Sequence, residues 1–424
     1  MPETSSRAPE RPFPLIPLIT LAAATFLSVT VEMLPTGLMP LMSAGLGASE
    51  SQIGLLMTIF AFTVVALSTP LVYLLQRVPK RILLVGVLTA FAIGTIGTAF
   101  APSYTIVVLT RIFTGAAHGV FWATVTSYTG ALVTSKQLTK AVSITGGGGG
   151  LAFVLGVPLG TALGQVLGWR TTFFAIAALC VLVAALLWFV LPKRVEEQPE
   201  TSAIEVVPAP QPIGDVEKTG LDGPRVPRPT RSMYLVALLI LLCALTMSGN
   251  YSFYSYISPY LLGIVSLPPE WLATALFAFG ITSALATMIT GLLFSNRSTL
   301  GLAVAYACML LGAGSLAFAP QVLPLVVVGL ALWGAGMGFL PTLLQSRLLA
   351  VAPRKHRDLS SALYTSGFNL GIGSGAFIGG LLLDDYGIWS VAPAFLTLVG
   401  CAFIGMMVMD FRRRRAAVAT PPIR

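Results

Sequence analysis

The feature that most constrains this chain is a series of apolar segments, each about twenty residues or longer, repeated from end to end. Twelve can be marked, at approximately 13–42, 52–76, 81–101, 104–134, 138–166, 171–192, 233–262, 269–295, 299–319, 322–351, 358–383 and 389–411. A helix rises 1.5 Å per residue and the hydrocarbon core of a bilayer is about 30 Å thick, so some twenty residues cross it. Of the 424 residues, 55% are hydrophobic and only 10% charged, against about 25% charged in an ordinary soluble domain. So little charge cannot cover a water-soluble surface of this size. The pattern predicts an all-α integral membrane protein of twelve transmembrane helices. It excludes a soluble enzyme, a nucleic-acid binder and a disulfide scaffold. Arg7 and Arg11 ahead of the first apolar run resemble the start of a signal peptide. That run continues past Glu32 to about Met42, too long for a cleaved apolar core, and reads as the first span.

Loop charge predicts orientation. Of the 25 Lys and Arg, all but Arg111 and Arg170 fall in the termini or in the loops on the terminal side. Basic loops stay in the cytoplasm. The expectation is a multi-pass protein of the inner (cytoplasmic) membrane with both termini cytoplasmic. The net charge of +9 is then a topology signal and implies no nucleic-acid partner. Residues 193–231, with Pro208-Ala209-Pro210-Gln211-Pro212, read as a flexible cytoplasmic linker. The expected division is a tail at 1–12, a six-helix bundle at 13–192, the linker, a second six-helix bundle at 232–411 and a basic tail at 412–424.

The two halves are internal repeats. Adding 219 to a residue number maps Pro40 onto Pro259, Gly115 onto Gly334, Gly119 onto Gly338 and Gly168 onto Gly387. In the fifth span Gly148, Ala152, Gly156 and Gly160 map onto Gly367, Gly371, Gly375 and Gly379 of the eleventh. Both halves begin on the same side, so the repeat is parallel, about an axis along the membrane normal. Small residues at every fourth position form a stripe on which another helix can lie closely. Either the stripe is passive packing, or gating helices slide along Gly148, Gly156 and Gly160 and along Gly371 and Gly375. Pro158 removes one backbone donor inside the stripe and can bend the helix.

These motifs resemble the major facilitator superfamily, and within it the twelve-span drug/proton antiporters near the arabinose-efflux and chloramphenicol-efflux permeases. The resemblance is carried by Glu32-Met33-Leu34-Pro35-Thr36-Gly37-Leu38-Met39-Pro40, by Arg111 with Gly115, His118 and Gly119, by Gly156-Val157-Pro158-Leu159-Gly160-Thr161 followed by Gly168-Trp169-Arg170, and by Phe368-Asn369-Leu370-Gly371 with Gly379-Gly380. It implies two bundles around a central cavity lined by spans 1, 4, 7 and 10. Between spans 2 and 3 the chain departs from the family pattern. Gln76 and Pro79 stand where the family has an aspartate and a glycine, while Arg77, Lys80 and Arg81 keep the bases. Those three are candidates for a cytoplasmic gate or simply topology signals.

Ionisable groups inside a membrane are costly and point to function. Glu32, Arg111 and His118 are the candidates, at about ten residues from the outer end of span 1 and seven from that of span 4 for the first two. At similar depth, a carboxylate and a guanidinium can pair and offset each other's desolvation. The expectation is either a static pair or a proton-exchanging Glu32 beside Arg111. His118, with an ordinary pKa of about 6.5, suits proton traffic. For a substrate, Asn250, Tyr251 and Tyr254 in span 7 are expected to face Phe121 and Trp122 of span 4, with Thr36 and Asn369 as further polar contacts. Aromatic walls accept flat or apolar molecules without demanding one shape.

Cys180, Cys243, Cys308 and Cys401 sit far apart inside apolar runs, so neither a disulfide nor a metal site is expected. No nucleotide-binding loop with its lysine is present, which leaves an ion gradient, or no energy source, to drive transport. The expected partners are a small molecule, protons and the lipid bilayer, with no cofactor, in a monomer. The reading is a proton-coupled exporter of a drug, sugar or nucleoside-like molecule working by alternating access. A symporter, a uniporter and a transporter-like membrane sensor remain open.

Overall fold

The computed structural model describes residues 13–134, 137–192, 231–294, 297–353 and 356–418. Arg7, Arg11, Lys136, nearly all of the expected linker and the end of the basic tail lie outside the described residues. The chain is all helix among the described residues. The elements are α1 (Leu15–Leu46), α2 (Glu50–Leu75), α3 (Lys80–Phe100), α4 (Tyr104–Leu132), α5 (Leu138–Leu151), α6 (Val157–Leu167), α7 (Trp169–Val190), α8 (Arg231–Tyr254), α9 (Ile257–Gly263), α10 (Leu272–Phe294), α11 (Ser298–Phe318), α12 (Leu323–Val351), α13 (Arg357–Tyr386) and α14 (Val391–Val418). Twelve spans are long and apolar enough to cross a membrane. Span 5 is α5 and α6 joined by a π-helical turn at Ala152–Gly156, and span 7 is α8 followed by α9. α14 runs on to Val418, so the expected basic tail begins as helix.

Chain breaks follow local chemistry. Gly47 ends α1 at φ 61, a left-handed conformation that costs glycine little. Ser49 then caps α2 reciprocally with Gln52, through bonds of 3.2 and 2.8 Å. Gly168 and Gly387, one repeat apart, turn the chain into the last span of each half at φ 85 and 84. The repeat is less faithful at two prolines. Pro158 cannot donate to Val154 O, and the turn before it widens so that the Val157 N–H reaches Ala152 O. The equivalent position in α13 is Phe377, and α13 is continuous. Span 7 breaks at Ser255–Tyr256, one turn before Pro259, whereas α1 stays continuous through Pro40.

The glycine stripes pack inside each half. A side chain at Gly148 would meet Ala22 and Phe26, at Gly156 Thr30, at Gly160 Leu34 and at Gly164 Leu38, all on α1. Gly371, Gly375 and Gly379 meet Ala244, Met247, Ser248, Ser252 and Tyr256, all on α8 or just beyond it. Each stripe thus lies against a helix of its own half. The close approaches between halves use other glycines. Gly280 of α10 lies on the Phe153 backbone, Gly373 of α13 on Ala61 and Phe62, and Gly54 of α2 under the Tyr256 ring.

Hydrogen bonds also join the halves. The Thr58 hydroxyl donates to Gly373 O at 3.0 Å, Ser258 to Thr36 O at 2.7 Å, and the Gln165 amide to Pro269 O. All lie in the half of the molecule away from the termini, where the two halves are closed against each other.

Candidate functional site: a buried charge cluster on α1 and α4

The site begins with a backbone deficit. Pro35 has no N–H, so Val31 O, four residues earlier, has no helical partner. Arg111 of α4 supplies one. Its Nη1 donates to Val31 O at 2.7 Å and its Nη2 lies 3.5 Å from Glu32 O. Pro40 likewise frees Thr36 O, which the Ser258 hydroxyl fills from the other half. Both carbonyls exposed by prolines in α1 are thus served from a neighbouring helix.

Arg111 therefore does not form the direct ion pair with the Glu32 carboxylate that the sequence suggested. The nearest partner of that carboxylate is His118, with Oε2 3.6 Å from Nε2. The reason lies in the end of α1. It extends to Leu46 rather than Met42, placing Glu32 14 residues from its far end. His118 is also 14 residues from the far end of α4, at Tyr104, while Arg111 is seven. Glu32 and His118 share a level about 21 Å in. All three side chains are buried, at 5%, 2% and 3% exposure. The Arg111 guanidinium lies 5.5 Å over the Phe60 ring, and Phe60 meets the His118 ring edge-on at 5.1 Å. Phe60 is thus an apolar wall between two basic groups.

His118 has a fixed tautomer. The Trp122 indole N–H donates to Nε2 at 2.8 Å, and an indole nitrogen cannot accept. Nε2 therefore carries no proton. Nδ1 carries it instead and donates to the Ser28 hydroxyl at 2.9 Å. Trp122 also lines a small, partly open cleft with Thr25, Val125, Thr126, Val142, Thr145 and Gly146, between α1, α4 and α5.

The expected aromatic wall is rearranged. Phe121 points away from span 7 and is fully buried, 6.2 Å from Phe91 of α3. It sits one residue, about 100° of helix, from Trp122. Asn250 does not face α4 either, since its Oδ1 accepts the Trp333 indole N–H at 2.8 Å within the second half. Tyr254 reaches the seam, with its ring 6.1 Å from Phe153 and 6.0 Å from Tyr251. Tyr251 stands within electrostatic reach of Glu32. Thr36 is buried with an unpartnered hydroxyl. Asn369 donates to Thr365 O of its own helix at 3.0 Å and lies apart from the cluster. Arg81 donates to Trp188 O and stacks 4.8 Å over the Trp188 ring, fastening α3 to α7 within one half. Arg77 is exposed.

One charged pair was missed in the sequence. Arg347 of α12 binds Asp410 of α14, with Ser298 and Thr299 of α11 accepting at 3.0 and 3.2 Å. Two opposite charges close to the terminal ends of spans 10 and 12 were the available signal. Counting Arg347 as loop charge hid it.

The fold and the cluster can be set beside known proteins. The family model described as Major Facilitator Superfamily matches residues 21–345 and 240–424. The chain belongs to the major facilitator superfamily. It is 27% identical over 409 residues to a probable sugar efflux transporter of Helicobacter pylori (strain ATCC 700392 / 26695), covering 95% of each chain, and equally similar to that of strain G27. Among solved structures it resembles the nucleoside transporter NupG, with a TM-score of 0.70, 12% identity and coverage of 92% and 98% of the two chains. It also resembles a bacterial homologue of the human lysosomal transporter Spinster in an inward-facing, unoccupied conformation, with a TM-score of 0.65, 16% identity and coverage of 94% and 95%. This member of the superfamily is a multi-pass membrane transporter, not an enzyme.

Proposed function

We propose that this transporter exports a sugar-like small molecule in exchange for protons, by alternating access between its two halves. The observation that carries the coupling is the Glu32 carboxylate buried 3.6 Å from His118 Nε2 and beside Arg111 in an otherwise apolar interior. A buried carboxylate beside one fixed cation and one titratable ring has two accessible proton states, which a static structural pair does not need. The substrate class and direction lean on the relatives named probable sugar efflux transporters. The basic residues of the terminal-side loops favour cytoplasmic termini. The structure, closed on the opposite side, then corresponds to the state facing the cytoplasm. Tyr251, Tyr254, Trp122 and Thr36 are the proposed substrate-side residues.

The test uses sealed inside-out vesicles with an imposed pH gradient and a panel of radiolabelled mono- and disaccharides. Wild type should accumulate at least one sugar in response to the gradient. Glu32→Gln, which keeps size and hydrogen bonding but cannot ionise, should lose that response while still inserting. Gradient-driven accumulation undiminished in Glu32→Gln would remove this residue from coupling. Loss of internal sugar on acidifying the vesicle interior would point to uptake by symport.

A further inference from the structure

The bonds around Trp122 connect the cleft to the proton site. Its indole N–H occupies the single lone pair of His118 Nε2, the same nitrogen that stands 3.6 Å from Glu32 Oε2. Its ring is part of the cleft wall. Among the side chains lining that cleft, Trp122 holds the one N–H. The Thr25, Thr126 and Thr145 hydroxyls each donate to a carbonyl of their own helix, at 3.0, 2.9 and 3.1 Å. They present acceptors to the cleft. A molecule bearing several hydroxyls can donate to those threonine oxygens and accept only from Trp122.

We propose that the Trp122 indole N–H is the link between ligand and proton, resting on the proton-coupled reading above. While it is donated to Nε2, the ring nitrogen is closed to Glu32. When a hydroxyl oxygen in the cleft draws it away, Nε2 opens and accepts the Glu32 proton. The Oε2–H bond breaks and an Nε2–H bond forms, turning a neutral acid and a neutral ring into a carboxylate and an imidazolium. No other reactant is consumed. The carboxylate is left beside the Arg111 guanidinium, and the imidazolium keeps its Nδ1–H bond to Ser28. The 3.6 Å separation exceeds hydrogen-bond reach by about 0.4 Å, a gap that small side-chain motions close. The groups that face His118 are Ser28 and Glu32 from α1, Phe60 from α2, Phe91 from α3 and Trp122 from α4, with Arg111 on the Phe60 ring beyond. Tyr251 adds a phenol near Glu32 from α8. Glu32 and Arg111 are the charged members of that set.

The chain has two histidines, so His356→Gln leaves one imidazole to observe by 15N NMR of the full-length protein in lipid nanodiscs. In that background, without ligand, His118 should show a protonated Nδ1 and a bare Nε2 from about pH 6 to 8, across its ordinary titration range. Trp122→Phe removes the N–H and keeps an aromatic ring. There the Nε2–H signal should go from absent to dominant. Adding Glu32→Gln should return Nε2 to its bare form, because the donor is gone. An Nε2–H tautomer before Trp122 is altered overturns the proposal without any change to the cleft. So does a spectrum unchanged by Trp122→Phe, or an Nε2–H signal that survives Glu32→Gln. Failure of the coupling reading is seen separately, in gradient-driven transport that ignores Glu32→Gln.

Discussion

Arg111 shows how one side chain answers both a structural and an electrostatic need. Its bond to Val31 O repairs the deficit left by Pro35, and its charge stands next to Glu32. The two roles can be separated by substitution. Arg111→Ala leaves a buried carbonyl without a donor, a loss of about 1–3 kcal/mol. It should lower the thermal midpoint in detergent as well as abolish gradient-driven transport. Arg111→Lys restores a donor and a charge, but with a point geometry in place of the planar fork. It should regain most of the stability and only part of the transport. Equal melting of the alanine variant and wild type would show that the Val31 bond contributes nothing. The residue types at this site were legible in the sequence, since an acid, a guanidinium and an imidazole stand out in apolar spans. Their pairing was not. Four residues of uncertainty at the end of α1 moved Glu32 from the level of His118 to that of Arg111. Trp122 donating to its own i−4 neighbour was also hidden, because that spacing along a helix reads equally well as packing.

At the scale of an element, a small-residue stripe specifies close approach without specifying the partner. The repeat exposed Gly156 and Gly160 because they recur with a helical period. Their partners, Thr30 and Leu34, are unremarkable in sequence. Gly280 and Gly373, which do touch the opposite half, belong to no stripe and gave no periodic signal. The two classes should respond differently to bulk. Gly156→Leu forces α1 and span 5 apart inside one half, so expression and monodispersity on a sizing column should fall together with transport. Gly280→Leu obstructs the seam with Phe153 and should leave the folded yield near wild type while reducing transport several-fold. Equal yields for the two variants would dissolve the distinction. The break in span 7 was invisible for a related reason. Pro259 and Pro40 are equivalent in the repeat, yet only one lies after a helix that breaks. In α1 the Thr36 carbonyl that Pro40 frees has a donor in Ser258 of the other half.

For the whole molecule, the twelve spans and their two-fold repetition were the most legible level, because apolar length and glycine offset are properties of the chain alone. Which face is closed was not legible, since it depends on contacts between residues more than a hundred positions apart. Thr58 to Gly373 and Ser258 to Thr36 are the clearest of these. Removing both hydroxyls, in Thr58→Ala with Ser258→Ala, should favour separation of the halves away from the termini. A cysteine placed at Thr36 in that background should react faster with a membrane-impermeant maleimide added on that side. Labelling no faster than in the Thr36→Cys parent would show that the hydroxyls do not hold the closure.

The same closure has an electrical consequence. The donors across the seam are a threonine, a serine and an amide, and the acceptors are backbone carbonyls. None of these groups carries a net charge. Breaking or making them therefore moves no net charge through the field across the membrane, where one elementary charge is worth about 2.3 kcal/mol per 100 mV. The opening of this face is electrically silent. Voltage dependence of turnover belongs to the sites where charge is carried, Glu32, His118 and Arg111 and the Arg347–Asp410 pair.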